Sequence, residues 1–265
     1  MRVFVTGAAG TIAHALRPHL ASAVWLDRAA LDVADDARFE LAMRTAAVEH
    51  GVPNAILHAA AITDHTTTDA AALINVNVRG TERVARWCRA YGVKLIYLST
   101  HYVYPGERGR YRESDAVRPI GAYAMSKLAG EGWAEQVRDV LIVRGSWYTY
   151  ETRLRHWIAN GAFADAYVSR ESADDAATKI AALVLGGATG VFNIGGPRRS
   201  FARILLDEGY PDVPIRERAS YVGPYAFPAD VSVSTAKFDA WARGRGAPPA
   251  QLALALDAAT AVGAH

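Results

Sequence analysis

The chain has 265 residues, 51% of them hydrophobic and 21% charged, which is typical of a soluble globular protein with one large or two small domains. Its 29 basic and 27 acidic residues give a formal charge of +2, and the scattered basic residues argue against a nucleic-acid-binding or membrane-surface protein. A single cysteine, Cys88, excludes a disulfide framework, and no signal-peptide pattern or membrane-spanning apolar run is present, so we expect a cytoplasmic protein.

Short apolar runs alternate with helical patterns through the first part of the chain. The runs are near-continuous, as expected for strands buried on both faces of a parallel sheet. The predicted strands are 2–6, 23–27, 54–60, 94–100 and 139–146, and the predicted helices lie near 11–21, 35–50, 69–91 and 119–137. This order predicts an α/β fold, a Rossmann-type doubly wound parallel sheet with helices on both faces.

The pattern loosens after residue 147. One further helix is predicted within 172–187 and one short strand within 190–196, and the proline-rich tail that follows is predicted to be irregular. We therefore expect a Rossmann-type domain at 1–147 and a smaller lobe at 148–265. Residues from about 172 to 196 are expected to pack back on the Rossmann domain.

A glycine-rich turn follows the first predicted strand. The segment VFVTGAAGTIAHAL places Gly7, Gly10 and Ala13 where the chain enters the first helix, and small residues there let the backbone approach a pyrophosphate. Asp27 ends the second strand and suits the ribose hydroxyls of NAD, whereas the adjacent Arg28 suits the 2′-phosphate of NADP. The sequence predicts an NAD(P)-binding Rossmann domain at 1–147, which leaves 148–265 as the substrate-binding lobe. The choice between NAD(H) and NADP(H) stays open.

Three further residues complete a candidate catalytic group. Tyr123 and Lys127 lie four residues apart, on one face of a predicted helix, and a lysine cation can stabilise a phenolate. Thr100 ends a strand at the edge where open α/β sheets bind ligands, and its hydroxyl can polarise a substrate carbonyl.

The order of these motifs resembles that of extended short-chain dehydrogenases/reductases. Within that superfamily the chain is most similar to the dTDP-4-dehydrorhamnose reductases, in the segments AAAIT, STHYVYPG, YAMSKLAGE, VRGSW and FPADVSV. The resemblance is dense from residue 3 to about 147 and implies an NAD(P)H-dependent enzyme that reduces a keto group on a nucleotide-activated deoxysugar. Tyr123 would protonate the carbonyl oxygen, with Thr100 and Lys127 beside it.

The loops and the resemblance together give the predicted binding residues. The predicted residues for NADP(H) or NAD(H) are Gly7, Gly10, Thr11, Ile12, Asp27, Arg28, Asp32, Val33, Ala59, Ala60, Ala61, Asn77, Tyr123 and Lys127. The predicted substrate contacts are Thr63, His101, Tyr102, Ser146 and Trp147. No metal is expected, because the eight histidines show no ligand-spaced pair with acids. Homodimers are common in the superfamily that the chain resembles.

The chain departs from that family in three places. His101 stands where the family has an aspartate, and Asp64 and His65 replace a hydrophobic residue and an aspartate. We hypothesise that one of the two histidines contacts the substrate, which predicts a break in the pH–rate profile near the histidine range that vanishes in His101→Ala. The segment 148–172 also lacks the family's DQxGxPT motif.

Other activities stay open at the level of sequence. A 4,6-dehydratase would have Asp-Glu after Thr100, so His101-Tyr102 disfavours that reaction. A nucleotide-sugar epimerase of the same superfamily is an alternative, and net consumption of NAD(P)H would separate it from a reductase. An alternative of another class is a non-catalytic NAD(P)-binding regulatory subunit, because the regulatory subunit of methionine adenosyltransferase resembles the same reductases.

Overall fold

The computed structural model describes residues 1–245 of the chain. Its longer strands coincide with the continuous apolar runs, as expected for segments that bury both faces. The strands are β1 Val3–Thr6, β2 Val24–Leu26, β3 Ala55–His58, β4 Lys94–Thr100, β5 Val140–Gly145, β6 Trp147–Tyr148, β7 Ala162–Phe163, β8 Tyr167–Val168, β9 Glu171–Ser172, β10 Gly190–Asn193, β11 Arg199–Ser200 and β12 Ile215–Arg216.

Six strands form one parallel sheet in the order β10-β5-β4-β3-β1-β2. The chain runs outward from β1 to β2, then returns to place β3 on the other side of β1. The strand order therefore reverses between β1 and β3, and ligands of doubly wound sheets bind at the carboxyl ends of strands at such a point. The predicted fold class is confirmed.

Helices cover both faces of the sheet. The α-helices are α1 Thr11–Leu16, α2 Asp36–His50, α3 Ala70–Leu73, α4 Gly80–Tyr91, α5 Gly121–Ala134, α6 Arg155–Asn160, α7 Ala173–Leu185, α8 Phe201–Asp207 and α9 Ala236–Arg243. On one face, α1, α7 and α9 pack on a core that includes Val5 and Ile96. On the other, α2, α4 and α5 pack on Phe4 and Leu95. Adjacent strand residues thus point into different cores, as the pleat requires.

Two helices differ from their predicted extents for local reasons. Helix α1 ends at Leu16 instead of continuing to 21, because Pro18 lacks the backbone N–H that would continue the helical hydrogen bonds. The predicted helix 69–91 forms, but a π-helical segment, Ile74–Arg79, interrupts it between α3 and α4. Such wide turns recur at functional sites, and this one contains Asn77.

Some of the short elements after β6 build a second cluster. Its core contains aromatic side chains, with Trp157, Phe201 and Phe227 in contact. The tail predicted to be irregular includes two short helices, α8 and α9. The division into domains at residue 147 stays a prediction, and part of the predicted lobe, residues 246–265, lies outside the described residues.

Across residues 1–245, no helix combines the length and the apolar character needed to cross a lipid bilayer.

Candidate active site

The loops that follow β1 and β3 lie in close contact. Gly7 has a φ of +69°, and a Cβ on it would lie 2.6 Å from the backbone nitrogen of Ala60. Only glycine accommodates both this left-handed backbone and this approach. Gly10 precedes α1 as its N-cap, and no side chain caps the helix there. The predicted tight turn therefore brings the glycine loop against the loop after β3.

A cavity of about 540 Å³ runs from this turn to the predicted catalytic residues. Most of the residues that line it lie at or after the carboxyl ends of β1, β3, β4 and β5, as the topology of the sheet requires, and the others come from α5 and from the chain after β6. They are Ala9, Gly10, Thr11, Ile12, Ala59, Ala61, Thr63, Asp64, His65, Leu98, Ser99, Thr100, Tyr102, Tyr123, Lys127, Gly145, Ser146, Trp147, Arg153 and Arg170. Predicted cofactor, catalytic and substrate residues thus border one space.

Thr100 and Tyr123 meet across this cavity. Thr100 ends β4, and its Oγ1 accepts a hydrogen bond from the Tyr102 amide at 3.3 Å. Tyr123 lies in the first turn of α5. Burial raises the pKa of Tyr123 to about 12, although a hydrogen bond with the Thr100 hydroxyl lowers it. Tyr123 is therefore protonated at neutral pH and can act as an acid.

Lys127 lies one helical turn after Tyr123 and is buried. Burial lowers the pKa of Lys127 to about 7, and the nearby Glu131 carboxylate raises it. The lysine can therefore gain or lose its charge near neutral pH, so small changes around it change the electrostatics of the whole site.

Asn77 fixes the loop after β3 instead of lining the cavity. Its Oδ1 accepts from the Ile62 amide at 2.8 Å, and its Nδ2 donates to the Ile62 carbonyl at 3.0 Å and to Ser126 Oγ at 2.9 Å. Ser126 in turn donates to the Tyr123 carbonyl at 2.7 Å. The π-helical segment thus ties the cavity loop to the helix that carries Tyr123 and Lys127.

A buried ion pair under the site was missed from the sequence. Arg144 on β5 donates to Glu131 on α5 through Nε at 3.0 Å and Nη2 at 2.6 Å, and Ser99 also donates to that carboxylate. Arg144 further donates to the Tyr104 hydroxyl at 3.0 Å. Both partners lie in segments that resemble the reductase family, YAMSKLAGE and VRGSW, and this position is the signal by which the pair could be found. The pair joins α5 to the ends of β4 and β5.

Two arginines on the substrate side were also missed. Arg170 is 6% exposed, and its Nε donates to Ser146 Oγ at 2.8 Å. Within residues 1–245, no carboxylate oxygen lies within 4.0 Å of its guanidinium. Burial lowers the pKa of Arg170 to about 10, and the positive charge of Arg153 acts in the same direction. Two cations therefore face each other at the cavity wall.

A second cavity of about 450 Å³ adjoins the first and shares Asp64, His65, Tyr102, Arg153 and Arg170 with it. Five aromatic side chains form part of its remaining wall. The aromatic side chains are Trp157, Phe163, Phe201, Tyr221 and Phe227. The arginines thus lie where the cavity lined by Thr100, Tyr123 and Lys127 adjoins the cavity with the aromatic side chains.

The two histidines of the substrate hypothesis occupy different places. His65 borders both cavities, and burial lowers its pKa to about 4. His101 is fully buried and does not line the first cavity, and neither of its ring nitrogens has a hydrogen-bond partner in the described part of the chain. Burial lowers the pKa of His101 well below its usual value. A rate break near the histidine range is therefore not expected from His101, and its contact with substrate stays a prediction.

The residues predicted at the adenosine end are not among those lining the cavity. Asp27 Oδ1 accepts from the Ala30 amide at 2.9 Å, and the exposed Arg28 lies 3.6 Å from Asp32. Val33 packs in the core. No group of three or more His, Cys, Asp or Glu side chains within residues 1–245 could hold a metal ion.

The model of the RmlD substrate binding domain matches residues 1–181, about two thirds of the chain. The chain belongs to this family. Two similar relatives are curated proteins of Streptomyces. The dTDP-4-dehydrorhamnose reductase of Streptomyces griseus is 39% identical over 158 residues, 55% of this chain and 49% of that protein. The dTDP-4-keto-6-deoxy-D-glucose reductase of Streptomyces niveus is 34% identical over 217 residues, 72% of each chain.

The chain thus spans about half the length of the Streptomyces griseus reductase in their alignment. A solved structure of dTDP-4-dehydrorhamnose reductase from Bacillus anthracis, in complex with NADP, superimposes with a TM-score of 0.77 over 88% of this chain and 90% of that one. The sequences are 22% identical, so this likeness demonstrates the shared fold.

Proposed function

We propose that this protein uses NAD(P)H to reduce a keto group on a nucleotide-activated deoxysugar. The observation that carries the proposal is the meeting of Thr100, Tyr123 and Lys127 in a cavity that continues to the glycine loop. Family membership and the two Streptomyces relatives, both named as reductases of dTDP-linked keto sugars, support the same reaction.

The residues around the glycine loop fit a dinucleotide. Gly7 and Gly10 remove side chains from the loop, and the small residues Ala59 and Ala61 border the cavity opposite. Thr11 and Ile12 would hold the cofactor at this end, and Lys127 would bind the nicotinamide ribose at the other. The bound nicotinamide supplies the hydride for the substrate carbonyl. The NADP complex of the Bacillus anthracis reductase supports this assignment.

Proton transfer falls to Tyr123. As hydride reaches the carbonyl carbon, negative charge develops on the oxygen, and the Tyr123 phenol gives its proton to that oxygen to form the alcohol. Thr100 donates a hydrogen bond to the same oxygen. A charged Lys127 stabilises the phenolate that Tyr123 leaves behind. The reaction thus consumes one hydride and one proton.

The arginines indicate an anionic substrate. A nucleoside diphosphate carries negative charge and a flat base, which suit Arg153 and Arg170 beside the aromatic second cavity. Arg170 is buried and has no carboxylate partner within residues 1–245, and a buried cation in that state costs free energy until an anion pairs with it. We infer that the diphosphate lies at these arginines and the base against the aromatic wall. Residues 148–245 would then recognise the nucleotide, as the predicted division of the chain requires.

The decisive test supplies purified protein with a dTDP-linked 4-keto-6-deoxy sugar and either NADPH or NADH. We expect net oxidation of the nicotinamide and a product two hydrogens heavier by mass spectrometry. Tyr123→Phe should lower kcat by about 100-fold or more at a similar affinity for the cofactor. Isomerised sugar without net NAD(P)H consumption would identify an epimerase. Cofactor binding without turnover, alongside a co-purifying partner protein, would identify a regulatory subunit.

The expectations about assembly and location belong to the same proposal. We infer a homodimer, because homodimers are common in the superfamily that the chain resembles. Size-exclusion chromatography with light scattering would test this. A cytoplasmic location suits Cys88, the one cysteine of the chain, whose thiol is buried and whose pKa is raised by that burial.

A further inference from the structure

The ammonium group of Lys127 sits against an aromatic ring. Its Nζ lies 4.1 Å from the centroid of the Tyr97 ring, and Lys127 is only 3% exposed. In the described part of the chain, this Nζ makes no hydrogen bond or ion pair. A cation over the face of an aromatic ring is attracted by the ring quadrupole, and the attraction grows when water is excluded. The ring is therefore a direct favourable contact of this charge.

The position of the Tyr97 ring is fixed from two sides. Tyr97 lies on β4, three residues before Thr100, and is fully buried. Its hydroxyl donates to the Lys127 carbonyl at 3.1 Å. A Cβ on Gly130 would overlap the phenol oxygen and would lie 2.8 Å from the ring carbon that carries it. Glycine at 130 thus allows the phenol to pass beneath α5, and the ring cannot move away from Lys127 without breaking this packing.

The other charged and titratable groups around Lys127 leave its charge finely balanced. On its own helix, Tyr123 is protonated, and the Glu131 side chain is paired with Arg144 from β5. From β3, His58 is uncharged, because burial lowers its pKa to about 3. Glu131 raises the pKa of Lys127, yet burial outweighs it and brings that pKa to about 7. A modest contact can therefore decide whether the lysine is charged.

We propose that Tyr97 is a positioning residue, whose ring face keeps Lys127 charged and aimed at the cavity beside Tyr123. The catalytic consequence rests on the proposed function, whereas the effect of the ring on the lysine charge does not. Removing the ring and keeping the rest of the site should therefore lower the pKa of Lys127, and replacing tyrosine by another aromatic residue should not.

The direct experiment titrates the lysine itself. The chain has four lysines, Lys94, Lys127, Lys179 and Lys237, so isotopically labelled lysine gives few side-chain NMR signals, and Lys127→Gln identifies the one of interest. Tyr97→Met removes the ring and its hydroxyl, whereas the matched control Tyr97→Phe removes the hydroxyl alone. We expect Tyr97→Met to lower the pKa of Lys127 by about one unit, and Tyr97→Phe to keep the wild-type value. Equal values in all three proteins, or equal shifts in both variants, would overturn the proposal.

A kinetic experiment tests the consequence. If the charged lysine is required, kcat/KM falls at high pH as Lys127 loses its proton, and this alkaline limb should move to lower pH in Tyr97→Met but not in Tyr97→Phe. A merely structural role would lower the rate of both variants at every pH and leave the limb in place. An NMR shift without any keto-sugar reduction would refute the proposed function alone. Reduction without an NMR shift would refute the role of Tyr97 alone.

A third variant tests the proposal if Tyr97→Met does not fold. Gly130→Ala keeps Tyr97 but forces its phenol away from α5, because the added methyl group overlaps the phenol oxygen. It should also lower the pKa of Lys127, whereas Gly132→Ala on the same helix should not, since a Cβ on Gly132 meets no atom within 4 Å. An unchanged lysine pKa in Gly130→Ala would count against the proposal.

Discussion

This protein should lose stability in mild acid, because two of its histidines are buried. His58 is 1% exposed and His101 is fully buried. Burial lowers the pKa of His58 to about 3 and that of His101 well below its usual value. In the unfolded chain both rings titrate near pH 6.5. The unfolded state therefore binds more protons as the pH falls below about 7, and the free energy of unfolding decreases.

The size of the effect follows from the two protonation states. Between about pH 7.5 and pH 5.5, each ring that stays neutral in the folded chain costs about 1.3 kcal/mol of stability, so the two together cost about 2.6 kcal/mol. Partly buried His65, with a pKa lowered to about 4, adds to the loss in the same direction. The carboxylates with lowered pKa values, such as Asp36 and Asp64, lose their contribution only at lower pH. The loss of stability caused by the histidines therefore occurs at a higher pH than the loss caused by the carboxylates.

A matched pair of variants separates charge from hydrogen bonding. His101→Leu should remove the contribution of His101 to this loss of stability. It should not lower stability at about pH 7.5, because the ring nitrogens of His101 have no partner among the described residues. His58→Leu should likewise remove the contribution of His58. However, it should cost about 1–3 kcal/mol at every pH, because the ring nitrogens lie 2.8 Å and 3.2 Å from the hydroxyls of Thr6 and Thr81.

Urea denaturation at both pH values measures these differences, with His14→Gln at an exposed helix position as the control substitution. A wild-type free energy of unfolding that is flat between about pH 7.5 and pH 5.5 would refute the reasoning. So would a His101→Leu variant with the full pH dependence of the wild type.

Three further predictions concern the ion pair, the substrate side and the glycine loop. Glu131→Ala should lose about 3–5 kcal/mol in urea denaturation, because it leaves Arg144 charged and buried, and the Glu131→Leu/Arg144→Met double variant should recover much of that loss. Arg170→Met should raise KM for the nucleotide sugar about tenfold or more and leave cofactor affinity unchanged; an unchanged KM contradicts an anion site there. Gly7→Ala should lower the affinity for NADPH in a fluorescence titration, since the new Cβ would lie 2.6 Å from the Ala60 nitrogen and would push the two loops apart. An affinity equal to that of the wild type would contradict this prediction.

The fold could be predicted because its strands can be identified from the local sequence. Each sheet strand is a short apolar run, and the alternation of strands and helices restricts the topology to few options. The contacts under the site could not be predicted in this way. Glu131 and Arg144 come from different elements, and only the packing of α5 on β4 and β5 brings them together. Arg170 could not be identified from the sequence, because a sequence does not distinguish a buried arginine from an exposed one.

His101 illustrates a different limit. Its place directly after Thr100 suggested that both residues face the ligand edge. Thr100 is extended, with φ of −140° and ψ of 151°, and successive side chains of extended backbone point to opposite sides. Because Thr100 borders the cavity, His101 points into the protein instead. Two neighbouring residues at the end of a strand, such as Thr100 and His101, therefore need not face the same cavity.

The burial of His101 gives its departure from the related reductases a specific consequence. The family that the chain resembles has an aspartate here, and position 101 lies within electrostatic range of Arg170. An aspartate would place a carboxylate near that guanidinium in a buried setting, whereas the neutral imidazole leaves the arginine charge uncompensated and available to a substrate anion. We expect His101→Asp to raise KM for the nucleotide sugar about tenfold, because substrate must then compete with an internal carboxylate. The neutral variant His101→Asn should not raise it, and equal KM values in the two variants would show that the charge at position 101 does not reach the substrate.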